Sequence, residues 1–294
     1  MRVVVSGASG LIGTELGRSL RADGHTVVAL VRRDVRGEHE SSWDPATGRI
    51  DDTAIAAADV VVNLAGASIG DKRLIGAYRD VVLSSRVDST NTIARAIARA
   101  KPTATLLQGS SMGFYGDRGT EPLTELLPAG DGFLADVSRK WEASAAPAVE
   151  ARARVVYLRT GMVLAPHGGF AKRLLPLARR GLIGALGNPR ALRSWISLID
   201  EVRAMRFLID SSHDGPANLV ASVVTNAQLV SAISGAFGHR SGIPVPSWVL
   251  KAAVGPAADD LLSSQNGVPA VLNQLGFEWT HSTIDAAARY VAQR

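Results

Sequence analysis

The stretch that most constrains this chain is Arg2-Val-Val-Val-Ser-Gly7-Ala-Ser-Gly10-Leu-Ile-Gly13. Val3 to Val5 are apolar and β-branched, which predicts a short parallel strand buried on both faces. Gly7, Gly10 and Gly13 follow at once, and Leu16 and Leu20 then carry a helical repeat up to Asp23-Gly24. A strand that passes through a glycine turn into a helix leaves the first helical N–H groups unpaired. They sit at the positive end of the helix dipole, where a phosphate binds well. With a strand before it and a helix after it, the turn reads as a dinucleotide cradle. Gly7 would permit the tight turn, Gly10 the approach of a pyrophosphate, and Gly13 the packing of helix on strand. Ser9, Leu11 and Ile12 complete the segment expected against the cofactor.

The second strand, His25 to Val31, runs into Arg32-Arg33-Asp34. An acidic residue at this strand end selects a ribose 2′-hydroxyl, whereas a 2′-phosphate calls for arginine. Arg32 and Arg33 therefore favour NADP(H), a guanidinium giving a bidentate grip on phosphate, while Asp34 keeps NAD(H) possible. A pair of surface arginines in a loop is the plainer alternative. Residues 35 to 53 read as a polar loop, and Asp59 to Gly66 as a buried strand. Its small ending, Leu64-Ala65-Gly66, leaves room for adenine and ribose.

A helix is expected to end near Ala100, with Ile93, Ala94 and Ile97 on its apolar stripe. A strand over Thr105 to Gln108 follows, then a helix containing Leu134, Val137, Ser138, Trp141 and Glu142, then a strand Arg154 to Leu158. This alternation predicts an α/β fold, a Rossmann-type doubly wound parallel sheet over residues 1–165. Residues 166–294 are expected to form a smaller substrate or cap region, with room for some elements to return to the first sheet. Within it, Gly168-Gly169 precede a cationic helix over Lys172 to Arg180. A single strand is expected over Ala217 to Val224, and Thr225-Asn226 start a helix.

Composition removes several function classes. The chain has no cysteine, so disulfides, thiolate metal sites and a cysteine nucleophile are excluded. Its six histidines show no metal-ligand spacing, so no metal is expected. The net charge of +5 comes from arginines and lysines scattered singly and in pairs, without the block that nucleic-acid binding requires. No signal-peptide layout and no membrane-length apolar run are visible. A cytoplasmic monomer or homodimer acting on a small molecule is the expectation.

Taken together, these segments resemble the extended short-chain dehydrogenase/reductases, whose glycine spacing is that of residues 7 to 13. More narrowly they resemble the atypical branch of epimerase family proteins that carries a C-terminal domain of unknown function. The marks of that branch are Trp43-Asp44-Pro45, Asn63-Leu-Ala-Gly66, Trp141-Glu142, Leu158-Arg-Thr-Gly161, Ser194-Trp195-Ile196 and Ser264-Gln265 with Gly276-Phe277. The resemblance implies NADP(H) binding and places Arg159, Thr160 and Gly161 near the cofactor. It establishes no substrate.

The superfamily's chemistry uses a serine or threonine that holds the substrate oxygen, a tyrosine that passes the proton, and a lysine four residues later. Ser111, four residues before Tyr115-Gly116, fits the first role; a strand-end serine capping local backbone is the alternative. No tyrosine here is followed by lysine at the fourth place. Counted back from Trp141-Glu142, the two positions fall on Leu134 and Ser138. Tyr115 is a substitute proton source if it stands at the mouth of the site, and a half-buried aromatic otherwise. Lys140 and Glu142 are expected to point to solvent. Arg86 stands where sugar epimerases carry an asparagine beside the active site, and suits the cofactor, an anionic substrate or a nearby carboxylate. Ser197 stands where relatives often show histidine. Two readings stay open: an NADP(H)-dependent oxidoreductase or epimerase-like enzyme, and a non-catalytic NADP(H)-binding sensor or partner module.

Overall fold

In the computed structural model, β1 (Arg2–Ser6) is sealed on both faces, and alternate residues serve different layers. Val3 and Val5 pack with Leu16 and Leu20, while Val4 packs with Val28, Ile93 and Ile97. A strand apolar on both faces demands helices above and below, which is why a short valine run specifies a doubly wound sheet. The structure describes residues 1–69, 72–168, 171–185, 187–242, 244, 248 and 262–293.

After β1 come α1 (Leu11–Ala22), β2 (Thr26–Val31), β3 (Glu40–Asp44), β4 (Arg49–Ile50), α2 (Asp52–Ala56) and β5 (Val60–Asn63). The long α3 (Ala77–Ala100) leads to β6 (Thr105–Ser111), a 3₁₀ turn (Met112–Tyr115), β7 (Pro122–Leu123), α4 (Phe133–Ala143) and α5 (Ala146–Glu150). Then follow β8 (Val155–Thr160), β9 (Met162–Leu164), α6 (Ala171–Ala178), β10 (Leu192–Ser197), α7 (Leu198–Asp210) and β11 (Gly215–Leu219). The remainder is β12 (Ser222–Thr225), α8 (Asn226–Ala236), β13 (Asn266–Gly267), α9 (Ala270–Gln274) and α10 (Ile284–Ala292).

The main sheet has eight strands in the order β11-β8-β6-β5-β1-β2-β3-β4, parallel except for the β3–β4 pair. The order reverses between β1 and β5, whose registers match Val3 to Val60 and Ser6 to Asn63. A reversal of this kind opens a crevice beyond the carboxyl ends of the two strands. A second sheet, β12-β10-β9, lies beside the first, with Trp195 buried among Leu229, Val230 and Ile233 of α8 and Ala287, Ala288 and Val291 of α10. The chain crosses between these two sheets three times after β8, since β9 and β10 belong to the small one, β11 returns to the large one and β12 goes back to the small one.

Two expectations from sequence need correction. Residues 35 to 53 are not all loop, because β3 and β4 lie there. β3 is Glu-Ser-Ser-Trp-Asp, whose buried positions, Ser41 and Trp43, offer one large apolar side chain only. The single strand expected over Ala217 to Val224 is two strands in two sheets. β11 pairs parallel with β8 and β12 antiparallel with β10, the chain turning at buried Val220. The mainly apolar stretch hides the break, because the two halves pair in different sheets on either side of it. The Gly168-Gly169 pair can be described only at Gly168, where φ is +78°; Gly169 lies outside the described residues. Among the described residues no helix is long and apolar enough to cross a membrane.

Candidate nucleotide and active site

The glycine turn is held by backbone contacts too close for any other residue. At Gly7, φ is +68° and an added Cβ would lie 2.6 Å from the Leu64 carbonyl oxygen, at the end of β5. At Gly13 the added Cβ would meet the Gly7 carbonyl oxygen at 2.3 Å and the Ala8 Cα at 2.9 Å. Gly13 therefore presses the helix against the turn itself, where the sequence suggested packing on the strand. Gly10 donates its N–H to that same Gly7 carbonyl at 2.9 Å and faces outward, with its nearest obstacle at 3.2 Å. α1 carries no side-chain cap at Gly10 and no acidic residue in its first turn. Nothing within the helix competes with a phosphate for those N–H groups, so the residues present fit a dinucleotide.

The strand ends beside the turn are braced by polar side chains. Ser6 donates its hydroxyl to Asn63 Oδ1 at 2.5 Å, and the Asn63 amide donates to Thr90 and to Gln108, each at 3.0 Å. Ser9 is exposed, whereas Leu11, Ile12 and Leu64 pack partly against the core. Arg32 and Arg33 have different environments. Arg33 donates to both Glu40 oxygens, at 2.8 and 2.5 Å, and this pairing holds the Glu40 carboxyl down to about 2. Arg32 is exposed and makes no hydrogen bond or ion pair among the described residues. Of the two, Arg32 has its donors available for a phosphate.

At the other end of the crevice, β6 and β8 run side by side, with Ser111 in register with Thr160. The half-buried Ser111 hydroxyl accepts from the Gly113 N–H at 3.0 Å, so it does cap local backbone. It also stands 3.4 Å from the Ser138 hydroxyl of α4. Leu134 lies one turn earlier on that helix, its Cβ 3.2 Å from where a Gly113 Cβ would be. The helix face that sequence counting picked out is thus the face turned toward Ser111.

Tyr115 is not at the mouth. It is fully buried, and its hydroxyl donates to Asn218 Oδ1 and accepts from Arg159 Nη1, both at 2.8 Å. Burial pushes its pKa up, which together with its lack of access removes it as a proton source. Arg159 does not face the nucleotide either. It forms a two-pronged pair with Glu142, Nε to Oε1 and Nη2 to Oε2 at 2.9 Å each, with its guanidinium over the Phe114 ring. Glu142, expected to face solvent, accepts also from the Ser110 hydroxyl at 2.6 Å; Lys140 is exposed as expected. Buried Glu125 accepts from the Asn218 and Val271 N–H groups, tying β11 and α9 to this cluster.

Thr160 and Gly161 stand at the seam between the sheets. The Gly161 N–H donates to the Leu219 carbonyl at 3.1 Å, and the Thr160 hydroxyl donates to Glu201 Oε1 at 2.8 Å. Sequence reasoning missed Glu201, because an acidic pair opening a helix reads as an exposed dipole partner. Here it is wholly buried, its other oxygen has no partner among the described residues, and burial pushes its pKa up to about 8 against the pull of Thr160. Glu201 is therefore protonated at neutral pH.

Ser197, Asp200 and His281 also come together, with Ser197 Oγ 2.9 Å from His281 Nδ1. They are not wired as a hydrolytic triad. Asp200 and Ser197 both face the same ring nitrogen, whereas a triad needs them on opposite ones. Asp200 also accepts from the Thr280 and His281 N–H groups at 2.8 Å, which fastens the C-terminal segment to α7. Among the described residues no cluster of histidine and acidic groups suits a metal ion.

Comparison with known proteins agrees with this geometry. Residues 3–223 match the NAD dependent epimerase/dehydratase family, and residues 245–291 match a domain of unknown function, DUF1731. An epimerase family protein of Mycobacterium bovis is 40% identical over 295 residues, covering 99% of this chain and 98% of its own. The crystal structure of human epimerase family protein SDR39U1 (isoform 2) with NADPH superposes with a TM-score of 0.90 at 31% identity, covering 99% of each chain. UDP-glucose 4-epimerase of Thermus thermophilus in complex with NAD, 17% identical with a TM-score of 0.76, shares the fold. The chain belongs to the NAD-dependent epimerase/dehydratase family, as a nicotinamide-dinucleotide-binding, oxidoreductase-like protein of the SDR39U1 type.

Proposed function

We propose that this protein is an NADP(H)-dependent oxidoreductase or epimerase-like enzyme acting on a small polar substrate, without the usual tyrosine–lysine pair. The observation that carries the reading is the half-buried Ser111 hydroxyl, 3.4 Å from Ser138, at the carboxyl end of β6, in the same parallel sheet whose β1 ends at the glycine turn. Leu11 and Ile12 would receive the pyrophosphate on their N–H groups, with Gly10 leaving it room to approach, and Arg32 the 2′-phosphate. The human relative was crystallised with NADPH, which supports this choice. A bound nicotinamide supplies hydride exchange at a carbon of the substrate.

Ser111 positions the reacting oxygen by hydrogen bond. Ser138, in the place of the superfamily lysine, adds a second hydroxyl but no charge, and Leu134, in the place of the tyrosine, transfers no proton. Losing positioned acid–base catalysis costs about 10²–10⁴-fold. The expected reaction is therefore one in which water or the substrate itself carries the proton. Leu134 is also what favours the second reading, a non-catalytic NADP(H)-responsive module.

Fluorescence titration with NADPH and NADH comes first. A charge-assisted phosphate contact should favour NADPH by about tenfold or more, and Arg32→Ala should remove the preference. Substrate-dependent NADPH oxidation that disappears in Ser111→Ala is then expected. Full activity in that variant overturns the role of Ser111, and cofactor-dependent partner binding without turnover selects the second reading.

A further inference from the structure

Arg86 lies on α3 with only 8% of its surface exposed. Its Nη1 donates to the carbonyls of Val82 and Ala67, both at 3.0 Å, and these are its only hydrogen bonds among the described residues. The guanidinium carbon stands 4.9 Å from the centre of the Trp141 ring and 3.1 Å from where a Gly66 Cβ would be. No carboxylate among the described residues pairs with it. Burial pushes its pKa down to about 10, with the Tyr78 phenol partly opposing, and it stays charged at neutral pH.

A buried guanidinium surrounded only by neutral dipoles is costly, and chains normally relieve that cost with an acidic side chain. This one does not. Trp141, packed against it, adds a buried indole N–H that has no acceptor among the described residues. Trp141 follows Ser138 by three residues on α4, and Ser138 meets Ser111, so uncompensated positive charge and spare donors adjoin the proposed reacting end. Guanidinium geometry suits a two-oxygen anion in particular.

We infer that Arg86, with the Trp141 indole beside it, binds an oxyanion of the substrate, a carboxylate or a phosphate, and so fixes the reacting oxygen against Ser111. The inference rests on the enzymatic reading of Ser111 and gives its substrate class: a small anionic hydroxy or oxo compound. Arg86 here is a binding residue that takes no part in proton or hydride transfer.

The test uses the full chain saturated with NADPH and follows tryptophan fluorescence during titration with malonate and, separately, inorganic phosphate. One of the two should bind saturably, and which one does tells a carboxylate substrate from a phosphate ester. Arg86→Met should weaken that binding by at least about tenfold, a loss of 1.4 kcal/mol. Arg86→Lys, which keeps charge but not the fork, should restore part of it, so a folding defect in the methionine variant leaves the proposal testable. Trp141→Phe should abolish the fluorescence change and weaken binding measured by thermal shift.

Indifference of the wild type to both anions, or equal binding by Arg86→Met, overturns the proposal. So does an Arg86→Met variant that loses NADPH by tenfold or more while both anions compete with NADPH, because Arg86 would then serve the cofactor. If the wild type binds no NADPH at all, the enzymatic reading falls separately. The same titrations on the cofactor-free protein then decide the role of Arg86.

Discussion

The two ends of the crevice are built on opposite terms. At the glycine turn the decisive contacts are backbone on backbone within residues 7 to 13, closed by Leu64 from the neighbouring strand. At the β6–β8 end they are side chain on side chain, drawn from residues 110, 115, 125, 142, 159 and 218. The first end depends on what is absent, a Cβ, and the second on buried charges and dipoles that hold one another. Damage at the turn should therefore appear mainly in cofactor binding, and damage at the cluster mainly in stability.

The largest effect is expected from Glu142→Ala. It leaves Arg159 buried without a counter-charge, and breaking such a pair costs about 3–5 kcal/mol. Chemical denaturation should show it, and Glu142→Leu with Arg159→Met should recover much of the loss. A double variant as unstable as the single would mean that the pair serves more than charge matching.

Next in size is the pH response of Glu201, on the opposite side of β8. Its folded pKa, about 8, lies above the unfolded value of 4.5, so the folded state binds more protons between these limits. Stability is accordingly fully present below about pH 4.5 and falls through the window up to pH 8, at about 1.4 kcal/mol per pH unit. Glu201→Gln keeps an acceptor for Thr160 and should flatten that part of the stability–pH curve. An unchanged curve would place the proton elsewhere.

Gly13→Ala should cost about 1–3 kcal/mol from the forced contact with the Gly7 carbonyl, and should abolish measurable NADPH binding as the turn shifts. Gly10→Ala, whose Cβ would lie 3.2 Å from the Gly7 carbonyl oxygen, should cost less stability than Gly13→Ala yet bind NADPH poorly, since its methyl takes the space left for the pyrophosphate. If both variants lose stability equally, the turn is not the purely local device described above.

The smallest change separates the arginines. Arg32→Ala should lower NADPH affinity by about tenfold with no change in NADH affinity, whereas Arg33→Ala should have a weaker effect because Glu40 already occupies its guanidinium. Parallel titrations with the two cofactors check this.

What the sequence determined alone is whatever depends on neighbours along the chain. The valine run, the glycine spacing and the leucine repeat fixed β1, the turn and α1, because backbone sterics and periodicity are local. The same holds for the α8 start at Thr225, where the capping box forms. The spacing of Leu134 and Ser138 put both on one helix face, and it was the family resemblance that set that face against Ser111, where the structure has it. Only the tertiary structure decided the fate of polar side chains. Tyr115 and Arg159 looked available and are locked together, Glu142 looked exposed and is paired, and Glu201 is sealed from water with the Thr160 hydroxyl on one of its oxygens. Whether a charge meets a partner, water or nothing is set by strands more than a hundred residues apart in the chain, as when Asn218 receives the Tyr115 hydroxyl. Ionisation follows from that meeting, which the order of residues alone does not contain.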